Sequence, residues 1–295
     1  MKAMKLTLSV AFVFTLALGV VRAQETADAP QWTPVYEGVD VACYERTEPL
    51  MKILAARVDL KASGVEFKTS APNADFELEK RETTRETTAT FLKNNELAVA
   101  VNANFYQPFN ASTISTPGDA NILGLGVSDG FVESKPLKGY PSFVVKNNGD
   151  VEIRQYDADE DLSDVRQAVS GNKIVLQDDV VVTQTNKDVH PRTAVGYSKD
   201  KRYVYFLVID GRQKNFSVGA TYEQVGEELK YLGASVGLNL DGGGSTTFVL
   251  RDSDNEPVVV NRPCNNTSDK LRFNANAIGV KAKGEPKAPP VGFRF

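Results

Sequence analysis

Eight short runs of β-branched and aromatic residues set what this 295-residue chain can fold into. They occupy residues 53–60, 97–101, 142–146, 151–156, 203–209, 236–240, 246–250 and 277–280. None is long enough for a buried helix of about 10–12 residues, and glycine, asparagine or aspartate bounds most of them, so they read as strands. The stretch NNGD at 147–150 reads as the turn of a hairpin.

Helical signals are fewer. Thr221-x-x-Gln224 has the form of a capping box, and Tyr222, Val225, Leu229 and Leu232 follow at helical spacing before Gly233 stops them. A second helix is expected over 84–94, opened by Thr83-x-x-Glu86, and a third over 162–169. Strands with a few interspersed helices predict an α+β (mixed α/β) fold. The expected form is one strand-rich domain, with helices packed on a mixed sheet and a cleft at the strand ends.

The ends of the chain read differently. Residues 1–23 have a basic start at Lys2 and Lys5, an apolar run to Val20 and a small-x-small site at Val21-Arg22-Ala23, the pattern of a cleaved secretory signal. Residues 24–49 are read as a lead-in, disordered over 24–34, residues 50–283 as the domain, and 284–295 as a proline-rich tail. No later segment approaches the about 20 apolar residues of a membrane span, so a secreted or periplasmic product without a transmembrane anchor is expected. Removing Lys2, Lys5 and Arg22 with no acid takes the formal net charge from −4 to −7. Such a surface is a poor partner for nucleic acid, whose binding draws on lysine and arginine. Cys43 and Cys264 are the two cysteines; a single disulfide and two buried thiols are both open. One histidine, His190, and no Cys-x-x-Cys argue against a structural zinc site.

Three apolar runs end alike. LAVAV leads into Asn102, YVYFLVI into Asp210-Gly211-Arg212, and VGLNL into Asp241-Gly242-Gly243-Gly244-Ser245. If these strands lie side by side and point the same way, their polar ends converge on one cleft; taken singly, each is an ordinary turn. The glycine run is neither a Walker loop, since no lysine follows, nor a Gly-x-Ser-x-Gly elbow. Successive glycine N–H groups can form an anion nest, with Ser245 adding a hydroxyl. Arg192 and Arg212 bring the planar donors that suit phosphate or carboxylate. The residues alone therefore point to an anion-recognising cleft that contains carboxylates.

Several longer blocks carry a resemblance. AVAVNANFY, LGLGVSDGFVES, QAVSGNKIVLQDD, HPRTAVGYS, VYFLVIDGRQ, the stretch SVGATYEQVGEELKYLGASVGLNLDGGGSTTFVL, and NRPCNN with LRFNANAIGV occur in the order seen in the phosphodiester glycosidase family. The resemblance spans roughly 50–282 and implies hydrolysis of a sugar-1-phosphodiester at the C1–oxygen bond. Position by position it implies Asp241 and Asp210 as the carboxylates, one as base or nucleophile and one accepting a sugar hydroxyl. Arg192 and Arg212 would hold phosphate, Gly242, Gly243, Gly244 and Ser245 would complete the clamp, and Asn102 would orient the substrate. Ala103 and Asn104 stand where the family carries a double glycine, which predicts a bulkier loop. His190, before a proline, is read as structural. The expected partner is a phosphorylated glycan or sugar-1-phosphodiester. No cofactor is required by this reading, although Asp210, Asp241 and the asparagines offer oxygen ligands to Ca²⁺ or Mg²⁺ in a rival phosphodiesterase. A polysaccharide-binding envelope protein is the non-enzymatic alternative.

Overall fold

The strand-forming runs pair into four sheets, every pairing antiparallel, in a computed structural model that describes residues 29–110, 112–264, 271–284 and 286. The expected signal and nearly all of the expected tail lie outside those residues. The largest sheet has eight strands. Its centre runs Val39–Thr47, Leu50–Asp59, Tyr203–Ile209, Arg192–Tyr197, Val236–Asn239, Lys173–Gln177. Residues 39–47, read from sequence as part of the lead-in, thus form a nine-residue strand in that sheet.

Alternation along each strand explains the layering. In Tyr203–Ile209, Val204, Phe206 and Val208 enter one core, while Tyr205, Leu207 and Ile209 enter another on the opposite face. The first core lies between the eight-stranded sheet and two five-stranded sheets, which contribute Val99, Val101, Phe248 and Ile278 from one and Phe143, Val145 and Val169 from the other. The second core is closed by a helix. Two α-helices occur among the described residues, α1 (Thr88–Asn94) and α2 (Tyr222–Leu232). Val225, Leu229 and Leu232 of α2 cover the outer face of the large sheet, and Phe91 and Leu92 of α1 cover Ala100 and Val249 of a five-stranded sheet.

The architecture is therefore mainly β, which corrects the expected α+β (mixed α/β) class. Continuous apolar runs such as YVYFLVI suggest a sheet buried on both faces, the usual state of helix-covered α/β sheets. Here another pair of sheets covers one face and α2 the other, so the same runs arise in an antiparallel sandwich. The helix expected at 162–169 is instead the strand Val165–Ser170, paired with Ser142–Lys146 and joined to Gly126–Ser128. The helix expected from Thr83 begins later. Arg81–Arg85 is a strand, and Thr87 caps α1 by accepting from the Thr90 N–H at 3.0 Å. Thr221 and Gln224 form the expected reciprocal box, and the NNGD hairpin joins Ser142–Lys146 to Val151–Arg154.

Cys43 and Cys264 are thiols here rather than a disulfide. Burial pushes the Cys43 thiol up to about 12, so it carries no thiolate at neutral pH and is chemically quiet.

Candidate active site

Topology brings two of the three strand ends together. Tyr203–Ile209 and Val236–Asn239 both pair antiparallel with Arg192–Tyr197, which lies between them, so the two run in the same direction. Asp210 and Asp241 consequently leave the sheet at one rim, where Arg192 begins the intervening strand. The third end, Asn102, comes from a five-stranded sheet and meets this rim from the other layer.

Asn102 is fully buried and acts as a clasp. Its Nδ2 donates to the Asp241 carbonyl at 2.7 Å, and its Oδ1 accepts from Thr193 Oγ1 at 2.7 Å and the Thr247 N–H at 3.1 Å. The Asp241 N–H in turn donates to the Ala103 carbonyl at 2.8 Å. Asn102 thus fixes the backbone at Asp241, rather than touching a ligand as the resemblance implied. Asn104 also turns inward. It donates to the Leu123 and Leu125 carbonyls and accepts from the Ser170 N–H at 3.0 Å, so the extra bulk at the double-glycine position braces a loop behind the cleft.

The cleft has a volume of 510 Å³. Asp241, Gly242, Gly243 and Gly244 form one wall, and His190, Arg192, Arg212, Tyr222 and Arg272 surround them. Phe105, Tyr106, Gln107, Phe109 and Leu123 form the other side. Asp241 is the one carboxylate lining it among the described residues. Its Oδ1 accepts from the Gly242 N–H at 2.9 Å, and the Ser245 hydroxyl also supports it. Burial raises its pKa to about 6, against the opposing pull of Ser245, Arg272, the Gly242 N–H and Arg212.

Asp210 does not share the cleft. Its Oδ1 accepts from Asn261 Nδ2 and its Oδ2 from the Arg262 N–H, both at 2.8 Å, and it is 1% exposed. Asn261 also donates to the Thr246 carbonyl and accepts from the Phe248 N–H, so Asp210 anchors the exit of the glycine turn. Each of its oxygens thus accepts one hydrogen bond from this anchor. Among the described residues no group of three or more His, Cys, Asp or Glu side chains gathers at one place.

The glycines owe their identity to crowding as much as to ligand access. A Cβ on Gly242 would lie 2.5 Å from the Pro191 carbonyl oxygen, and Gly243 has φ +64°. Their N–H groups are also spent, on Asp241 Oδ1 and on the Pro191 carbonyl at 3.0 Å. Cationic side chains therefore carry most of the anion recognition expected of the nest.

Three arginines face this wall. Arg192 is pinned by its Nε to the Ala220 carbonyl at 2.9 Å and by Nη2 to the Asp188 carbonyl at 2.8 Å. Its guanidinium sits 4.0 Å from the centre of the Tyr222 ring, the first residue of α2, whose hydroxyl accepts from Asn172. The capping box that starts α2 thereby also places a wall of the cleft. Arg212 has φ +58°, an unusual backbone for a bulky residue. It lies 3.2 Å from His190 Nδ1. Burial and then the Arg212 charge lower the His190 pKa, which favours a neutral ring accepting from Arg212. Arg272 Nη1 donates to Ser245 Oγ at 3.2 Å, and its guanidinium lies 5.2 Å from the Phe109 ring centre. Arg272, Tyr222 and the aromatic side were not assigned to the site from sequence, although Arg272 lies in the LRFNANAIGV block and Tyr222 on the expected helix.

The phosphodiester glycosidase family model matches residues 95–281. No curated protein matches the chain. Among solved structures, the catalytic domain of zebrafish N-acetylglucosamine-1-phosphodiester alpha-N-acetylglucosaminidase, auto-inhibited by its pro-peptide, superposes with a TM-score of 0.63 at 20% identity, covering 85% of each chain. A protein of Burkholderia pseudomallei gives 0.60 at 14% identity, covering 79% of this chain and 74% of its own. A Synechocystis protein gives 0.57 at 14%, covering 87% and 65% respectively. At these identities the structural likenesses establish a common fold.

Proposed function

This chain belongs to the phosphodiester glycosidase family, and on that premise we propose that it hydrolyses a sugar-1-phosphodiester between sugar C1 and the bridging oxygen. The observation that carries the reading is the composition of the cleft: one carboxylate, Asp241, among three arginines. An ordinary glycosidase uses two carboxyl groups, one to protonate an alkoxide leaving group and one to act on C1 or on water. Here the leaving group is a phosphate monoester, whose second pKa of about 6 makes it a weak base. It departs without an enzymatic acid if cations absorb its charge.

In this reading Arg192, Arg212 and Arg272 bind the phosphate, and Asp241 attacks C1 or deprotonates the attacking water. The C1–O bond breaks with its electrons going to the phosphate oxygen. Water supplies hydroxyl to C1 and a proton to the products, so the reaction balances as a hydrolysis. Asn102, Ser245 and the Gly242 N–H hold the carboxylate and its backbone. His190, kept neutral, steadies Arg212. The chain acts outside the cytoplasm, on a phosphorylated glycan or envelope polymer, in keeping with the signal-like residues 1–23.

The pH profile provides a test on a panel of α- and β-sugar-1-phosphodiesters, with and without chelator. Asp241 must be ionised to act as base or nucleophile, so kcat/KM should rise as pH increases through about 6 and then level off. No turnover across the panel would defeat the reading. A rate that falls as pH rises through that range would assign Asp241 the role of acid instead.

A further inference from the structure

Glu133, on the short strand Phe131–Ser134, is fully buried, yet neither oxygen of its carboxylate meets a hydrogen-bond partner among the described residues. A buried carboxylate without donors is costly, and here a second carboxylate lies beside it. Glu82, 3% exposed, comes from the strand Arg81–Arg85. Its Oε2 accepts from the Ile122 N–H at 2.9 Å and its Oε1 from the Glu79 N–H at 3.2 Å. Gly126 marks where the two meet. A Cβ there would lie 3.5 Å from Glu133 Oε2 and 2.2 Å from Cδ1 of Ile122, the residue whose N–H holds Glu82. Burial, and then the charge of Glu82, push the Glu133 carboxyl well above the usual carboxylate range, and no cation among the described residues offsets them. A cavity of 260 Å³ reaches this place from the surface, lined by Glu82, Asn121 and Ser134 among others. Asn121 Oδ1 is buried without a partner, while its Nδ2 donates to the Glu79 carbonyl at 2.6 Å. The Ser134 hydroxyl bonds to the Ile122 carbonyl at 3.4 Å and to Glu82.

We propose that Glu82 and Glu133 hold a Ca²⁺ ion, with the neutral oxygens of Asn121 and Ser134 and water from the cavity completing its shell. The site is separate from the cleft of Asp241 and does not depend on the reaction put forward above. Water alone would satisfy the orphaned oxygens, but it leaves two adjacent carboxylates uncompensated, whereas a divalent cation answers both demands. The donor set is all oxygen, with no imidazole or thiolate, which suits Ca²⁺ or Mg²⁺ rather than zinc. Ca²⁺ accepts an irregular shell of carboxylate, amide and hydroxyl oxygens, while Mg²⁺ demands a near-ideal octahedron and keeps most of its water. The ion would also brace the cleft from behind. Ile122 pairs with Tyr106, and the Leu123 N–H donates to the Phe105 carbonyl at 2.7 Å. Phe105, Tyr106 and Leu123 are all on the aromatic side of the cleft.

The test needs no substrate. Protein stripped with a chelator and titrated calorimetrically with Ca²⁺ at neutral pH should take up one ion per chain, with a Kd on the order of 10⁻⁴ M or tighter. At a metal concentration a hundredfold above Kd the melting temperature should rise by about 5–10 °C, and Mg²⁺ at the same concentration should raise it less. Glu133→Gln keeps the shape but removes a charged ligand, and it should weaken binding at least tenfold and abolish the metal-dependent shift. Asp159→Asn, at an exposed acid far along the chain, should change neither reading. A melting temperature that is the same in Ca²⁺, Mg²⁺ and chelator would overturn the proposal and leave Glu133 as a protonated core residue. Uptake that survives unchanged in Glu133→Gln would overturn it too, by placing the ion elsewhere. If that variant fails to fold, Glu82→Gln takes its place in the same titration, and the response of the unaltered protein to metal still decides.

Discussion

Asp241→Asn should abolish turnover while making the folded protein more stable at neutral pH. The amide keeps the size and the acceptor for the Gly242 N–H but cannot act as base or nucleophile. A loss in kcat/KM on the order of 10³-fold or more is expected when a group acting directly at the reacting atoms is neutralised. The stability change follows from the pKa. Burial raises the folded-state value from 3.8 to about 6, so the native state favours the protonated form. Its contribution is fully present below the unfolded value and is lost as pH rises from about 4 to 6. Asparagine has no such loss. The variant should therefore gain roughly 1–3 kcal/mol above pH 6 and nothing near pH 3.5, readable by denaturant melts at the two pH values. An active variant would remove Asp241 from the mechanism. An inactive variant that is less stable at pH 7 would point to a supporting role.

Arg212→Gly separates charge from backbone in the same way. An arginine at φ +58° carries strain of about 1–2 kcal/mol. Glycine relieves that strain, although the more flexible unfolded chain offsets about 0.5–1 kcal/mol of the gain. Stability should stay within about 1 kcal/mol of the original. Catalysis should suffer, because a guanidinium aimed at developing phosphate charge in a partly enclosed site contributes about 10²–10³ in rate. The loss should fall mainly on kcat. A substrate whose leaving phosphate is more acidic needs less help and should be affected less. Arg192 is the instructive contrast. Its guanidinium is tied to the Ala220 and Asp188 carbonyls and stacks on Tyr222, so truncating it unpins the start of α2 as well as the phosphate site.

The comparison of Asp210 with Asp241 defines what sequence could convey about this site. Each follows an apolar strand and precedes glycine, and neither local context says which of the two faces the cleft. They differ through residues remote in the chain. Asn261 and the Arg262 N–H occupy Asp210, whereas Asp241 keeps a face toward the cleft. The strand ends themselves were legible, as were α2 and its cap, because hydrophobic period and capping chemistry are local. That the ends of Tyr203–Ile209 and Val236–Asn239 point the same way was not, since it depends on Arg192–Tyr197 lying between them.

The misplaced helices have a similar cause. Residues 165–170 carry enough polar spacing to pass for a helix turn, but two neighbouring strands supply their hydrogen bonds. Thr83 and Thr87 both precede helix-like residues, and only Thr87 lies beyond the last strand pairing. The glycine triplet was read as a possible anion nest. Crowding against Pro191 explains Gly242 and a positive φ explains Gly243, and their N–H groups go to Asp241 Oδ1 and the Pro191 carbonyl, which shifts the anion-binding task to Arg192, Arg212 and Arg272.

The most direct test of the central claim follows the oxygen of water. Hydrolysis of a sugar-1-phosphodiester in ¹⁸O-labelled water, with mass analysis of both products, reports which bond breaks. Attack at C1, directed by Asp241 with the arginines holding the departing phosphate, places the label in the sugar and leaves the phosphate monoester unlabelled. Label in the phosphate would mean that the P–O bond is cut, and the assignment of this cleft as a glycosidase site would be wrong.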